Sequence, residues 1–126
     1  MQRTLLYYLG VSALLTHELD AVLNTEWRLL YVLRTLSDDV ASVYFIAMHF
    51  VMVLAFFYFG HHTKSKIKDG FRSFVALFLV VHGGLHFRLS DDPLYTFSGL
   101  SSNLYIYAAS AFGVLYLLTY FRKKAD

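Results

Sequence analysis

The sequence predicts an all-α fold, a bundle of four transmembrane helices with a short interfacial helix between the first two spans. Three observations lead there. Four apolar stretches, residues 4–24, 39–59, 71–88 and 102–121, each approach the roughly 20 residues that a helix needs to cross about 30 Å of hydrocarbon. Apolar residues make up 57% of the 126, and the mean hydropathy is +0.49, well above a soluble domain of this size. Only 16% are charged, too few to cover the high relative surface of a small soluble chain. Residues 1–126 read as one integral membrane domain, with no internal repeat.

The first span follows a single Arg3 and runs into His17, Glu18 and Asp20 without an A-x-A cleavage pattern, so it is expected to stay in the mature protein. Residues 27–36 (WRLLYVLRTL) mix apolar positions with Arg28 and Arg34. They predict an amphipathic helix lying in the interface, anchored by Trp27 and Tyr31. Ser37, Asp38 and Asp39 offer N-cap oxygens to the second span. Residues 61–70 (HHTKSKIKDG) read as a polar, basic loop. The third span is the shortest, and its Gly83 and Gly84 permit close helix approach. Asp91, Asp92 and Pro93 break the chain after it, and Ser101, Ser102 or Asn103 can cap the fourth.

Basic residues set the orientation. Arg3, Lys64, Lys66, Lys68, Arg72, Arg122, Lys123 and Lys124 fall on the side of both termini, against Arg28, Arg34 and Arg88 on the other. Both termini are therefore expected in the cytoplasm, with membrane lipids as the surroundings. A net charge of +2 without a basic stripe argues against a nucleic-acid partner. With no cysteine, thiolate zinc sites, cysteine-held iron–sulfur clusters and disulfides are excluded.

Ionisable groups inside a span cost roughly 2.5–3.5 kcal/mol each on insertion scales, so several at one depth need a common compensation. At about 1.5 Å per residue, His17 lies about 20 Å from the cytoplasmic start of its span, and His49 about 15 Å below the outer start of the second. His82 and His86 lie about 16 and 22 Å from the cytoplasmic start of the third. All four fall between the midplane and the outer third of the bilayer. His82 and His86, four apart, share one helix face, the spacing that lets two imidazoles hold a metal. His17 and Asp20 share another face, which Asn24 extends. Glu18 points about 100° away from His17 and ranks below Asp20. Glu26 falls past the helix end, where it pairs with Arg28 or folds back over the site.

These residues make His17, His49, His82 and His86 the candidate metal ligands and Asp20 the candidate catalytic base or orienting carboxylate. The plainer reading is interhelical hydrogen bonding, which for His49 alone is the better one. His61 and His62 lie in the basic loop on the opposite side. Tyr105, Tyr107 and Ser110 enter from the outer side as further donors, and the sequence does not choose among them.

Residues 16–29 (THELDAVLNTEWRL) and 80–87 (VVHGGLHF) resemble a family of small bacterial four-helix membrane proteins that carries only an unknown-function label. The resemblance implies the bacterial inner membrane and no particular activity. The HxxxH with a further histidine and an aspartate is similar to the zinc site of membrane ceramidases and adiponectin-receptor-like hydrolases. That resemblance implies His82, His86 and either His17 or His49 as ligands, with Asp20 as base or orienter. Those proteins have seven helices and a serine near the metal, whereas Ser12 and Ser42 here are several residues from the nearest histidine on their helices. The expectation is a membrane metalloprotein holding zinc rather than iron, with hydrolysis of a lipid-like substrate as a candidate activity. The alternatives are haem held between facing helices, a homodimeric proton-coupled or metal-ion transporter using Asp20 or Glu18, and a structural subunit.

Overall fold

The computed structural model describes residues 2–125, with side chains described through residue 120. Helix α1 covers Gln2–Leu23, α2 Asp38–Gly60, α3 Ser65–Leu89 and α4 Leu100–Ala125, and the described residues contain no strand. Three of the four, α2, α3 and α4, are long and apolar enough to cross a membrane. Helix α1 has the length, but His17, Glu18 and Asp20 lower its hydropathy. The residues that make it chemically interesting are the ones that make it less apolar.

Helix α4 packs along both α1 and α3, while α2 touches the rest chiefly through α3 and the connection that precedes it. Small residues permit the close packing. A Cβ on Gly113 would stand 2.6 Å from the Ala76 carbonyl oxygen, and one on Gly83 would stand 2.7 Å from the Ser110 Cβ. Gly84 meets nothing within 4 Å, so of the two neighbouring glycines only Gly83 serves the close approach. The buried positions of α1, namely Tyr7, Gly10, Leu14, His17 and Ala21, recur every three or four residues, as one helix face must. Leu14 belongs to one core with Tyr7, Val75, Leu79 and Tyr116. Ala21 belongs to a second with Trp27, Phe45, Phe97 and Ile106. His17 lies between them.

The connections differ from the sequence reading in four places. Residues 27–36 do not form one interfacial helix; the chain makes two short 3-10 turns, Glu26–Arg28 and Leu33–Thr35. Thr25 enters them in a left-handed conformation, φ 52 and ψ 43, which reverses the chain at the end of α1 and breaks the helical period. The basic loop is shorter than expected because α3 already begins at Ser65. Asn103 lies inside α4, where its side-chain amide donates to the Phe97 and Gly99 carbonyls and ties down the incoming loop. Ser37 occupies the N-cap position of α2 without a side-chain cap bond. The expected end of the fourth span at Phe121, and Arg122, Lys123 and Lys124, lie outside the described side chains.

Gly113→Ala is expected to destabilise the bundle by about 1–3 kcal/mol, because backbone rather than a flexible side chain opposes the new Cβ. Gly84→Ala is expected to be neutral or to stabilise by up to about 1 kcal/mol through helix propensity. Unfolding of the purified protein in mixed micelles separates the two.

Candidate metal centre

His17 arrives on the buried face of α1, one turn beyond Leu14, and His86 arrives on the buried face of α3 beyond Leu79 and Gly83. His82 lies one turn before His86. The ring centroids are 5.0 Å apart for His17 and His82, 4.7 Å for His17 and His86, and 4.7 Å for His82 and His86, all edge-on. Into this triangle comes Glu26 from the first 3-10 turn. The left-handed step at Thr25 turns Glu26 back under the end of α1. Its two following neighbours are both fastened to the start of α2, where Trp27 Nε1 donates to Asp38 Oδ1 at 2.9 Å and Arg28 pairs with the same carboxylate. Glu26 is 7% exposed and His17 fully enclosed.

One donor atom from each of His17, Glu26, His82 and His86 can be chosen so that all four lie within 4.8 Å of one another. The carboxylate oxygens stand 3.4 Å from His17 Nε2 and 3.6 Å from His86 Nε2. Such contacts are long for hydrogen bonds. A tetrahedral ion with bonds of about 2.0–2.1 Å holds its donor atoms roughly 3.3 Å apart, which is close to these separations. Both nitrogens of His17, Glu26 Oε2 and His82 Nε2 are buried without a hydrogen-bond partner. Buried polar atoms normally have one. Burial by itself pulls the Glu26 carboxyl upward, but the polar contacts and positive charge of His17 and His86 outweigh it and bring the carboxyl down to about 2. The cluster therefore favours an anionic carboxylate facing positive charge, which protons or a metal ion can supply.

The loop between α3 and α4 covers the group. Phe97, 1% exposed, lies 5.4 Å from the His17 ring and 5.0 Å from the His86 ring. The Tyr95 hydroxyl meets His86 Nδ1 at 3.2 Å. Burial, with smaller contributions from Tyr107 and Glu26, pushes the Tyr95 hydroxyl up to about 12, so it keeps its proton near neutral pH. Thr96 Oγ1 donates to the Asn24 carbonyl at 2.7 Å, latching the loop to the end of α1.

Of the residues singled out in the sequence, His17, His82 and His86 come together, and His49 does not join them. Its Nδ1 faces the Phe45 carbonyl at 2.6 Å and its Nε2 faces Glu18 Oε2 at 2.7 Å. The carbonyl can only accept, so Nδ1 carries a proton, and the other proton is shared between Nε2 and the carboxylate. Asp20 is not one of the four, although its Oδ2 is enclosed without a partner. Glu26, ranked low as a residue beyond the helix end, supplies the carboxylate. Its one sequence signal was an acid followed by tryptophan and arginine immediately after a span. Tyr95 and Phe97 were not singled out, since nothing local distinguishes them from other aromatics. Ser110 packs against Gly83.

A family model described as a family of unknown function (DUF6713) matches residues 3–123. No curated protein and no solved structure matches the chain.

The Glu18–His49 pair is separate from the four-residue group. A double-mutant cycle with Glu18→Gln and His49→Phe is expected to give a coupling of about 0.5–3 kcal/mol, whereas His49→Phe and His82→Ala should be close to additive. Unfolding midpoints of the single and double variants measure both quantities.

Proposed function

Since the chain belongs to a family of unknown function, we propose from the geometry that it is a small integral membrane metalloprotein. In this reading His17, Glu26, His82 and His86 hold one divalent transition-metal ion. The observation that carries it is the convergence of four donors from three separate parts of the chain, with several of their buried atoms otherwise unpartnered. Three imidazoles and a carboxylate without thiolate suit zinc first and ferrous iron second. The ion would balance the Glu26 charge and contribute Lewis acidity. Tyr95 then serves as the partner of His86 Nδ1, orienting the ring so that Nε2 faces the ion. Phe97 excludes water from above.

The membrane reading supports four spans, with α1 as the fourth, its polar residues turned to the metal group and to α2 instead of lipid. In this reading both termini lie in the cytoplasm and the group in the outer half of the bilayer, which the excess of basic residues on the side of the termini supports, and the membrane is a bacterial inner membrane, as the family resemblance implies. Four protein donors complete a tetrahedral shell, so the ion is a resident one. Hydrolysis of a lipid-like substrate would require Glu26 to yield its position to water. Asp20, one turn beyond His17 on α1 and with its Oδ2 enclosed and unpartnered, is the carboxylate this reading offers for proton handling in such a step.

Elemental analysis of the purified chain is expected to find close to stoichiometric zinc or iron. His82→Ala and Glu26→Gln should each lose most of it, while His49→Ala should retain it. Wild-type protein without metal, or with stability indifferent to a chelator, would overturn the reading.

Metal retention is also expected to fall as pH drops, because protons compete with the ion for the imidazole nitrogens. A carboxyl held at about 2 stays ionised while they do so. The stability that its depressed value contributes is fully present above the ordinary carboxylate range and is lost progressively as pH falls from there through about 2. Metal content measured from pH 8 to 4 should therefore fall before the Glu26 carboxyl is protonated.

A further inference from the structure

The Glu18–His49 pair is left unused by the metal group, and it lies against a groove. Two cavities of about 180 and 230 Å³ lie between α1 and α2, and both are lined by Leu15 and Val53. They therefore lie next to one another along the helices, with those two side chains at their boundary. Glu18 and His49 line one part, and Tyr8 and His61, hydrogen-bonded to each other at 2.9 Å, line the other. Ten residues of α1 separate Tyr8 from Glu18, which at 1.5 Å per residue is about 15 Å. That is about half of a 30 Å hydrocarbon layer, the reach of one leaflet's chain.

The polar end has a defined chemistry. The side chains of Glu18 and His49 are only 11% and 20% exposed. Glu18 Oε2 is taken by His49 Nε2, whereas Oε1 receives no hydrogen bond among the described residues. A carboxylate oxygen that remains accessible on a largely buried side chain takes a donor. The His49 proton already balances the carboxylate charge within the pair, so a cationic head would leave an unpaired charge in the membrane and an anionic head would be repelled. A neutral N–H or O–H donor satisfies the oxygen without disturbing that balance.

We propose that the α1–α2 groove binds a single-chain amphiphile with a neutral donor head, an amide or an alcohol, its head on Glu18 and its chain running past Leu15 and Val53 toward Tyr8. This goes beyond the metal reading; it shares that reading's membrane placement and does not depend on the metal.

The test is equilibrium binding of radiolabelled dodecanamide to the full chain in nanodiscs, beside dodecane and dodecanoate. Dodecanamide is expected to saturate at one molecule per chain and to bind at least about tenfold more tightly than either control, as one charge-assisted hydrogen bond provides. Val53→Trp, which fills the groove from α2 one turn from His49 while leaving Glu18 and His49 themselves unchanged, should weaken binding by at least about tenfold. Leu54→Trp, on the exposed face of the same helix, should leave it unchanged. Non-saturable uptake, equal affinity for dodecane or dodecanoate, or unaltered binding to folded Val53→Trp would overturn the proposal. Metal content read from the same samples keeps the two readings apart, since dodecanamide can bind a metal-free chain and a metal-loaded chain can fail to bind it.

Discussion

A carboxylate enclosed among imidazoles, with His17 and His86 as its ion-pair partners among the described residues, is the constraint on which this end of the bundle depends. An unbalanced buried charge is costly, and a neutral imidazole does not offset it. Positive charge must therefore enter the cluster as protons or as a metal ion. The separations of 3.4 and 3.6 Å between carboxylate oxygens and ring nitrogens are wider than good hydrogen bonds and near the donor spacing of a small coordinated cation.

The scaffold is arranged to hold that cluster closed. Gly83 and Gly113 bring α3 against α4 with no room for a side chain between them, and α4 in turn lies along α1, so His17 and the two histidines of α3 meet across a narrow gap. The carboxylate comes from outside the long helices, on a turn anchored at both ends. The left-handed Thr25 directs it inward, and Asp38 fixes Trp27 and Arg28 beyond it. Because Arg28 and Asp38 are exposed, their pair adds positional definition more than stability. Trp27, buried with Phe45, is the stronger fastening. The loop carrying Tyr95 and Phe97 closes the remaining side. A change at any of these points would be felt at the cluster without touching a donor atom.

Helix α1 shows how the same residue types serve two ends on different faces. His17 turns to α3, while Glu18, about 100° around the helix, turns to α2 and meets His49. Two polar groups at similar depth are thus kept apart by helical geometry, one closed beneath a tyrosine and a phenylalanine, the other beside a groove open along α1 and α2. Helix α2 packs less closely than the others, which leaves that groove accessible and leaves much of its own apolar surface exposed, as suits a helix facing lipid.

The all-α fold, the four long helices and the pairing of His82 with His86 were legible in the sequence, because hydropathy, length and the 3.6-residue period depend only on positions near one another in the chain. Which histidine completes the group was not, since His17 and His49 lie at similar depth and a depth estimate carries no information about rotation or about which helices are neighbours. The break of residues 27–36 into two turns escaped the pattern, because it comes from the left-handed Thr25 and the tether to Asp38 rather than from apolar spacing. Glu26 is the clearest instance. By sequence it is a polar residue beyond the end of a span, and only the chain reversal, held by contacts ten or more residues away, makes it the carboxylate of the cluster. The local sequence therefore determined the helices and the supply of imidazoles, and the tertiary structure decided which of them meet, because meeting depends on helix rotation and chain reversal, which long-range packing sets.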